Sequence, residues 1–135
     1  MPWLAPVAAS LGYALFWRQT TQFWPATLWF FCVQAVQLSW MTSIEYQGLY
    51  ILGVYAALCL GLGVQFGLLT LCVNRIPHMA VASLWTLFEW GRLYFLCGFS
   101  WNPVGLSLTA FVPSMQLASL FGVLGLSFWV MVTNL

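Results

Sequence analysis

The chain has 135 residues, of which 63% are hydrophobic and only 4% charged. Its formal charges are Arg18, Glu45, Arg75, Glu89 and Arg92, with no Lys and no Asp; a soluble domain gives roughly a quarter of its residues to charged types, so no solvated surface can be assembled from these. A net charge of +1 excludes the basic stripe that nucleic acid requires, and with no polybasic run there is no electrostatic grip on anionic headgroups. The expected class is an all-α integral membrane protein, a polytopic transmembrane helix bundle of about five helices with membrane lipids around it.

Crossing the hydrocarbon as a helix takes roughly 20 mainly apolar residues, because each rises about 1.5 Å and no backbone polar group is left unpaired in lipid. The first apolar segment, 3–17, is short and stops at Arg18-Gln19-Thr20-Thr21. No positive charge precedes it, so it does not read as a cleavable signal peptide. The second expected span, 23–43, ends before Glu45 and carries Gln34 and Gln37; the third, 49–73, carries Gln65 and ends at Asn74-Arg75-Ile76-Pro77. Amides at membrane depth read as interhelical hydrogen-bonding groups, and Gly63 with Gly67 forms a GxxxG that lets helix backbones approach closely. The fourth span, 79–97, contains Glu89 and Arg92, and His78 beside Pro77 reads as a solvated helix-start residue. Residues 98–113 include Gly98, Pro103, Gly105 and Pro113 and predict an extracytoplasmic loop. The fifth span is 114–135, where Ala118 and Gly122 repeat the small-xxx-small spacing. These runs are near-continuous and about twice the ten-residue alternating segments of a transmembrane β-barrel, which excludes that class.

Orientation follows from three charges. Arg18 and Arg75 are separated by two spans and share a side, while Glu45, one span from each, lies opposite. The positive-inside rule makes Arg18 and Arg75 cytoplasmic and Glu45 and Trp101 extracytoplasmic. Trp3, Trp17, Trp24, Trp40, Tyr46, Tyr50 and Trp101 gather where spans meet the interfaces, as an aromatic belt does. An uncharged start before a short first span and an end at Thr133-Asn134-Leu135 without a basic anchor give the expectation of a piece of something longer.

Glu89 and Arg92 are the residues in the most expensive places. Each costs about 2.5–3.5 kcal/mol at a helix centre on insertion scales, and at a spacing of three they share a helix face and can pair. Two readings stand side by side: a structural ion pair buried against neighbouring helices, or a pair lining a polar cavity that holds a lipid headgroup or orients the adjoining loop. Cys32, Cys59, Cys72 and Cys97 lie inside apolar runs without CxxC spacing and read as packing residues. A catalytic Cys97 needs a base within hydrogen-bond reach, yet His78 is at the other end of the same span, about 28 Å away at 1.5 Å per residue. No catalytic residue, metal site or cofactor site is assigned.

The stretch Leu84-Trp85-Thr86-Leu87-Phe88-Glu89-Trp90-Gly91-Arg92, followed by Gly98-Phe99-Ser100-Trp101 and Gly105, resembles the membrane domain of the bacterial apolipoprotein N-acyltransferases. In that family a transmembrane helix carries a similar ExxR, then a GFPW-like turn, a downstream Gly, and a further span that Gly122-Val123 and Ser127-Phe128 match here. Ser39-Trp40 is similar to a Trp at the end of an earlier family helix, and residues 1–17 resemble its second helix. Ser100 stands where the family usually has Pro, and Leu106-Ser107 where an aromatic residue is common. The resemblance implies an eight-helix inner-membrane domain bearing an extracytoplasmic nitrilase-like domain with a Glu-Lys-Cys triad. It also implies a phospholipid acyl donor, a diacylated lipoprotein acceptor, and Trp40, Glu89, Arg92, Gly98, Phe99, Trp101 and Gly105 as lipid-access or structural positions. This sequence has no Lys, so the triad is not among its residues, and none of its cysteines inherits the nucleophile's role. The competing reading is a small self-contained multi-helix membrane protein, such as a transporter subunit or an assembly factor.

Overall fold

A computed structural model describes residues 4–43, 48–95, 98–110 and 112–135, with the backbone alone for 4–10. Five α-helices are present: α1 (Leu4–Gln19), α2 (Phe23–Gln37), α3 (Tyr50–Cys72), α4 (His78–Phe95) and α5 (Val112–Asn134). Short 3₁₀ turns occupy Ser39–Thr42 and Val104–Leu108. Among the described residues, α3 and α5, 23 residues each, are long and apolar enough to cross a membrane. Helices α1 and α2 have 16 and 15 residues, about 23 Å at 1.5 Å per residue. Trp3, Glu45, Tyr46 and Cys97 lie outside the described residues.

The helix starts follow from proline. Pro6, Pro25 and Pro113 each fall in the first turn of a helix, where a missing N–H costs no intrahelical bond, and α4 opens just after Pro77, whose carbonyl accepts from the N–H groups of Ala80 and Val81 at 2.8 and 3.1 Å. The exposed His78 is the first residue of that helix. The second expected span does not continue as one helix. At Leu38 (φ −96°, ψ 8°) the backbone leaves α-helical geometry, and Ser39–Thr42 tightens into the 3₁₀ turn. Helix α4 is closed by Gly98, whose φ of +84° suits glycine and whose N–H donates to the Leu93 carbonyl at 2.9 Å. Within the helices, the hydroxyls of Thr70, Ser83 and Thr86 donate to carbonyls one turn back, which satisfies them without water.

The chain divides into two units, Thr20–Cys72 and the combination of Met1–Gln19 with Val73–Leu135. The first unit is α2 laid against α3. Its seam is the GxxxG: a Cβ at Gly63 would stand 2.7 Å from the Thr27 carbonyl oxygen, and one at Gly67 would collide with the Thr27 hydroxyl and reach within 3.0 Å of the Phe23 ring. Both glycines therefore serve close approach, as their spacing indicates. Phe30 and Phe66 stack at 4.7 Å beside them, and the Tyr55 hydroxyl donates to the Ala35 carbonyl at 2.5 Å. Two of the three amides depart from expectation. Gln34 Oε1 and Gln65 Nε2 are buried and meet no hydrogen-bond partner among the described residues, so the interhelical bonds expected of them are not made through these atoms.

In the second unit α1, α4 and α5 pack around the Val104–Leu108 turn. Val81, Ala82 and Trp85 from α4 and Leu126, Val130 and Met131 from α5 form its core. The Asn134 side chain ties α1 to α5: its Oδ1 accepts from the Ala14 N–H at 3.1 Å, and its Nδ2 donates to the Val130 carbonyl at 2.8 Å. Helix α5 is broken at Gly122, where φ is +68° and ψ −178°. All of its buried residues, from Leu126 to Asn134, lie after that break. A Cβ at Gly122 would meet nothing within 4 Å. Among the described residues the Ala118/Gly122 spacing thus forms no packing seam; the glycine is needed for its backbone conformation.

Candidate functional site

Glu89 is buried on α4, and its side chain and that of Arg92 retain only 1% and 10% of their exposure. The i, i+3 spacing puts the two on one helix face, with Arg92 Nη2 at 3.3 Å from Glu89 Oε1. Trp85, one turn earlier on that face, donates its indole N–H to the same oxygen at 2.9 Å. The third donor comes from outside the helix: the backbone N–H of Val104 reaches Oε1 at 2.8 Å.

That last bond makes the carboxylate an anchor for the loop. The next residue, Gly105, donates its N–H to the Ser127 hydroxyl on α5 at 2.9 Å. Two consecutive backbone donors are thus held by side chains from two different helices. Pro103 precedes them with φ −58°, and its carbonyl accepts from the Leu106 N–H at 3.0 Å, which folds the turn over the pair. Space demands the glycine: a Cβ at Gly105 would stand 2.5 Å from the Val123 carbonyl oxygen and 2.7 Å from the Ser127 nitrogen. Asn102 just ahead adopts φ +55°, a left-handed conformation that Asn tolerates better than most residues.

A cavity of about 200 Å³ lies beside this anchor, walled by Glu89, Arg92, Phe99, Trp101, Pro103 and Val123, with Leu93, Ser100 and Leu124 completing it. Chemically it is an apolar pocket with an ion pair on one wall. Glu89 Oε2 and Arg92 Nε are buried and without a hydrogen-bond partner among the described residues. Among the described residues the pocket wall holds no thiol, imidazole or amine.

Of the positions singled out from sequence, Glu89, Arg92, Phe99 and Trp101 come together around this cavity. Gly105 is buried under the loop without lining the cavity, and Gly98 is exposed at the end of α4. Trp40 is 52% exposed in the Ser39–Thr42 turn of the other unit and is not a cavity residue. The sequence reading did not identify Trp85, Val104, Ser127, Val123 and Leu124 as parts of the site. Trp85 carried a signal, since i−4 from a buried carboxylate is a position that faces it. The other four depend on how the loop and α5 fold back on α4.

The whole chain, residues 1–135, matches the family model described as the apolipoprotein N-acyltransferase N-terminal domain. An apolipoprotein N-acyltransferase of Chlamydia caviae is 34% identical over 129 residues, which is 90% of this chain and 24% of that protein. The Bradyrhizobium diazoefficiens protein of the same name is 32% identical over 67% of this chain and 16% of its own length. That of Shewanella oneidensis reaches 52% identity over 46 residues, 34% of this chain and 9% of its own length. The chain therefore spans about a quarter or less of the curated relatives named here. No solved structure matches it. With its full length covered by the family model and 90% of it aligned to a relative above 30% identity, the chain belongs to the apolipoprotein N-acyltransferase N-terminal domain family.

Proposed function

We propose that this chain is the membrane-embedded part of an apolipoprotein N-acyltransferase, a scaffold and lipid-access chamber in the bacterial inner membrane. The reaction it serves is transfer of an acyl chain from a phospholipid to the N-terminal diacylglyceryl-cysteine of lipoproteins. One observation carries the reading: the buried Glu89–Arg92 pair, on the wall of an apolar cavity, holds the loop that brings Phe99 and Trp101 to that cavity. Two charges at membrane depth oppose insertion by several kcal/mol unless they are paired. Pairing them at the mouth of a chamber, where they anchor the loop, offsets that cost and gives the charges a use.

The exterior supports the membrane assignment. Val36 and Leu120 are each 76% exposed and Phe95 is 89% exposed, surfaces suited to hydrocarbon and costly in water. With Arg18 and Arg75 cytoplasmic and Trp101 extracytoplasmic, the cavity opens toward the outer leaflet, where lipoproteins mature. The chain contributes no Lys and hence no Glu-Lys-Cys triad; its part in the reaction is to hold and present lipid.

Two measurements test this. Single-cysteine variants at positions 18 and 101, in a background without the native cysteines, are treated in spheroplasts with a membrane-impermeant thiol reagent; position 101 labels and position 18 does not. A chimera then replaces the matching quarter of the Chlamydia caviae relative with residues 1–135. In cells depleted of their own enzyme it restores N-acylation of lipoproteins, and Glu89→Leu in the chimera abolishes that. A chimera that inserts and accumulates normally but leaves lipoproteins diacylated refutes the assignment.

A further inference from the structure

The cavity wall comes from three places. Glu89, Arg92 and Leu93 stand on α4, Val123 and Leu124 on α5 just past its break, and Phe99, Ser100, Trp101 and Pro103 on the loop between them. The helical parts cannot shift without disturbing the core of Val81, Trp85, Leu126 and Val130. The loop is anchored on both sides: the Gly98 N–H is bonded back to the Leu93 carbonyl, and the Val104 and Gly105 N–H groups are bonded to Glu89 and Ser127. Between these anchors lie the wall residues Phe99, Ser100 and Trp101. On either side of them the backbone takes positive φ, +84° at Gly98 and +55° at Asn102.

A short segment held at both ends moves by turning about the line that joins its anchors, and the dihedral changes fall on its end residues. Both end residues suit that role. Gly98 reaches either sign of φ at little cost. Asn102 is the sole non-glycine residue with positive φ among the described residues, and it precedes Pro103, where extended backbone is favoured. Asn also tolerates the left-handed conformation better than most side chains, so it can serve both states. Ser100 is exposed and Trp101 is 53% exposed, which leaves little packing to hold the segment in place.

We propose that residues 99–101 are a flap over the cavity, hinged at Gly98 and Asn102. With Asn102 left-handed the flap forms one side of the cavity; when Asn102 turns to extended backbone, Phe99 and Trp101 swing away and the mouth widens enough to admit an acyl chain. The bonds of Val104 to Glu89 and of Gly105 to Ser127 persist in both states, so the ion pair holds the fixed edge against which the flap moves. This rests on the lipid-access reading and states how lipid enters.

The test uses the whole chain without its native cysteines, carrying Phe99→Cys and Leu124→Cys, in phosphatidylcholine nanodiscs that include a phosphatidylcholine with a photoreactive acyl chain. A short bifunctional methanethiosulfonate bridges the two thiols, and dithiothreitol releases them. Bridging holds the flap shut and lowers the label on the peptide carrying Glu89 and Arg92 about tenfold; dithiothreitol restores it. Methyl methanethiosulfonate, which caps both thiols without joining them, leaves the label unchanged. Asn102→Val, whose branched side chain rejects positive φ, slows bridging about tenfold, whereas Asn102→Gly bridges as fast as Asn102 does. Thiols that never bridge, bridging that Asn102→Val does not slow, or a label that bridging lowers no more than capping does, each overturns the flap and leaves the lipid-access reading in place. A cavity that takes no label even before bridging overturns both.

Discussion

Replacing Gly105 with Ala tests whether the loop is held in place by the bonds at Glu89 and Ser127. The added Cβ would stand 2.5 Å from the Val123 carbonyl oxygen, 2.7 Å from the Ser127 nitrogen and 2.9 Å from the Leu126 Cβ. Two of these are backbone atoms of a packed helix, so the turn must retreat. Retreat stretches the Gly105 N–H bond to Ser127, now 2.9 Å, and the adjoining Val104 N–H bond to Glu89, now 2.8 Å. A neutral hydrogen bond contributes about 1 kcal/mol and one to a charged group about 1.5–3 kcal/mol, so losing both costs roughly 3 kcal/mol. Gly91→Ala is the control, because a Cβ there meets nothing within 4 Å and Ala is favoured over Gly in a helix by about 1 kcal/mol. Reversible unfolding in mixed micelles, followed by tryptophan fluorescence, measures both. A Gly105→Ala protein as stable as the Gly91→Ala control would refute the argument that the loop is clamped against α5.

Glu89 and Arg92 should behave as a coupled pair in a double-mutant cycle, with single Leu replacements costing about 3–5 kcal/mol and the double far less than their sum. Glu89→Leu should be the worse single, because it also strips Trp85 and Val104 of their acceptor; additive effects would mean that the two do not pair. Gly122→Ala forces a side chain into φ +68°, ψ −178°, a region essentially reserved for glycine, and should destabilise by about 1–3 kcal/mol, with Gly122→Asn doing no better than Ala in the same unfolding assay. Asn134→Ala removes the acceptor of the Ala14 N–H and should cost about 1–3 kcal/mol, whereas Thr133→Ala, whose hydroxyl only bonds the Val130 carbonyl of its own helix, should be close to neutral. Thr27→Val removes a buried hydroxyl that has no partner among the described residues and should leave stability unchanged or raise it by about 1 kcal/mol.

What could be read in advance divides by the range over which residues act. The ion pair, the helix starts at proline and the Gly63/Gly67 seam are local or periodic, and a helix of known pitch converts their spacing directly into a shared face. Gly122 illustrates the limit. Its spacing from Ala118 matches a packing motif, but its glycine serves a positive φ that interrupts α5, and nothing in the spacing separates the two uses. Gln34 and Gln65 mark another limit: an amide within an apolar helix announces a hydrogen bond, yet each keeps a buried amide atom unmatched among the described residues. Whether an amide finds its partner depends on side-chain placement across helices, which sequence spacing does not encode.

The site required the longest reach. Glu89 and Val104 are 15 residues apart, and Gly105 and Ser127 are 22 apart, so each bond exists only once the loop has folded back between two helices. Chain length was still informative here. A buried carboxylate must collect donors, and after α4 the sequence supplies a turn rich in Gly and Pro, whose backbone N–H groups are not committed to a helical ladder. Pro103 removes its own donor and fixes its φ, so the next two N–H groups, those of Val104 and Gly105, become available side by side. The ordering Pro-Val-Gly therefore accounts for why the anchor is a backbone pair and not another side chain. It also implies that the Glu89 carboxylate can be kept buried while the side chains at positions 104 and 106 vary, provided position 105 stays without a Cβ.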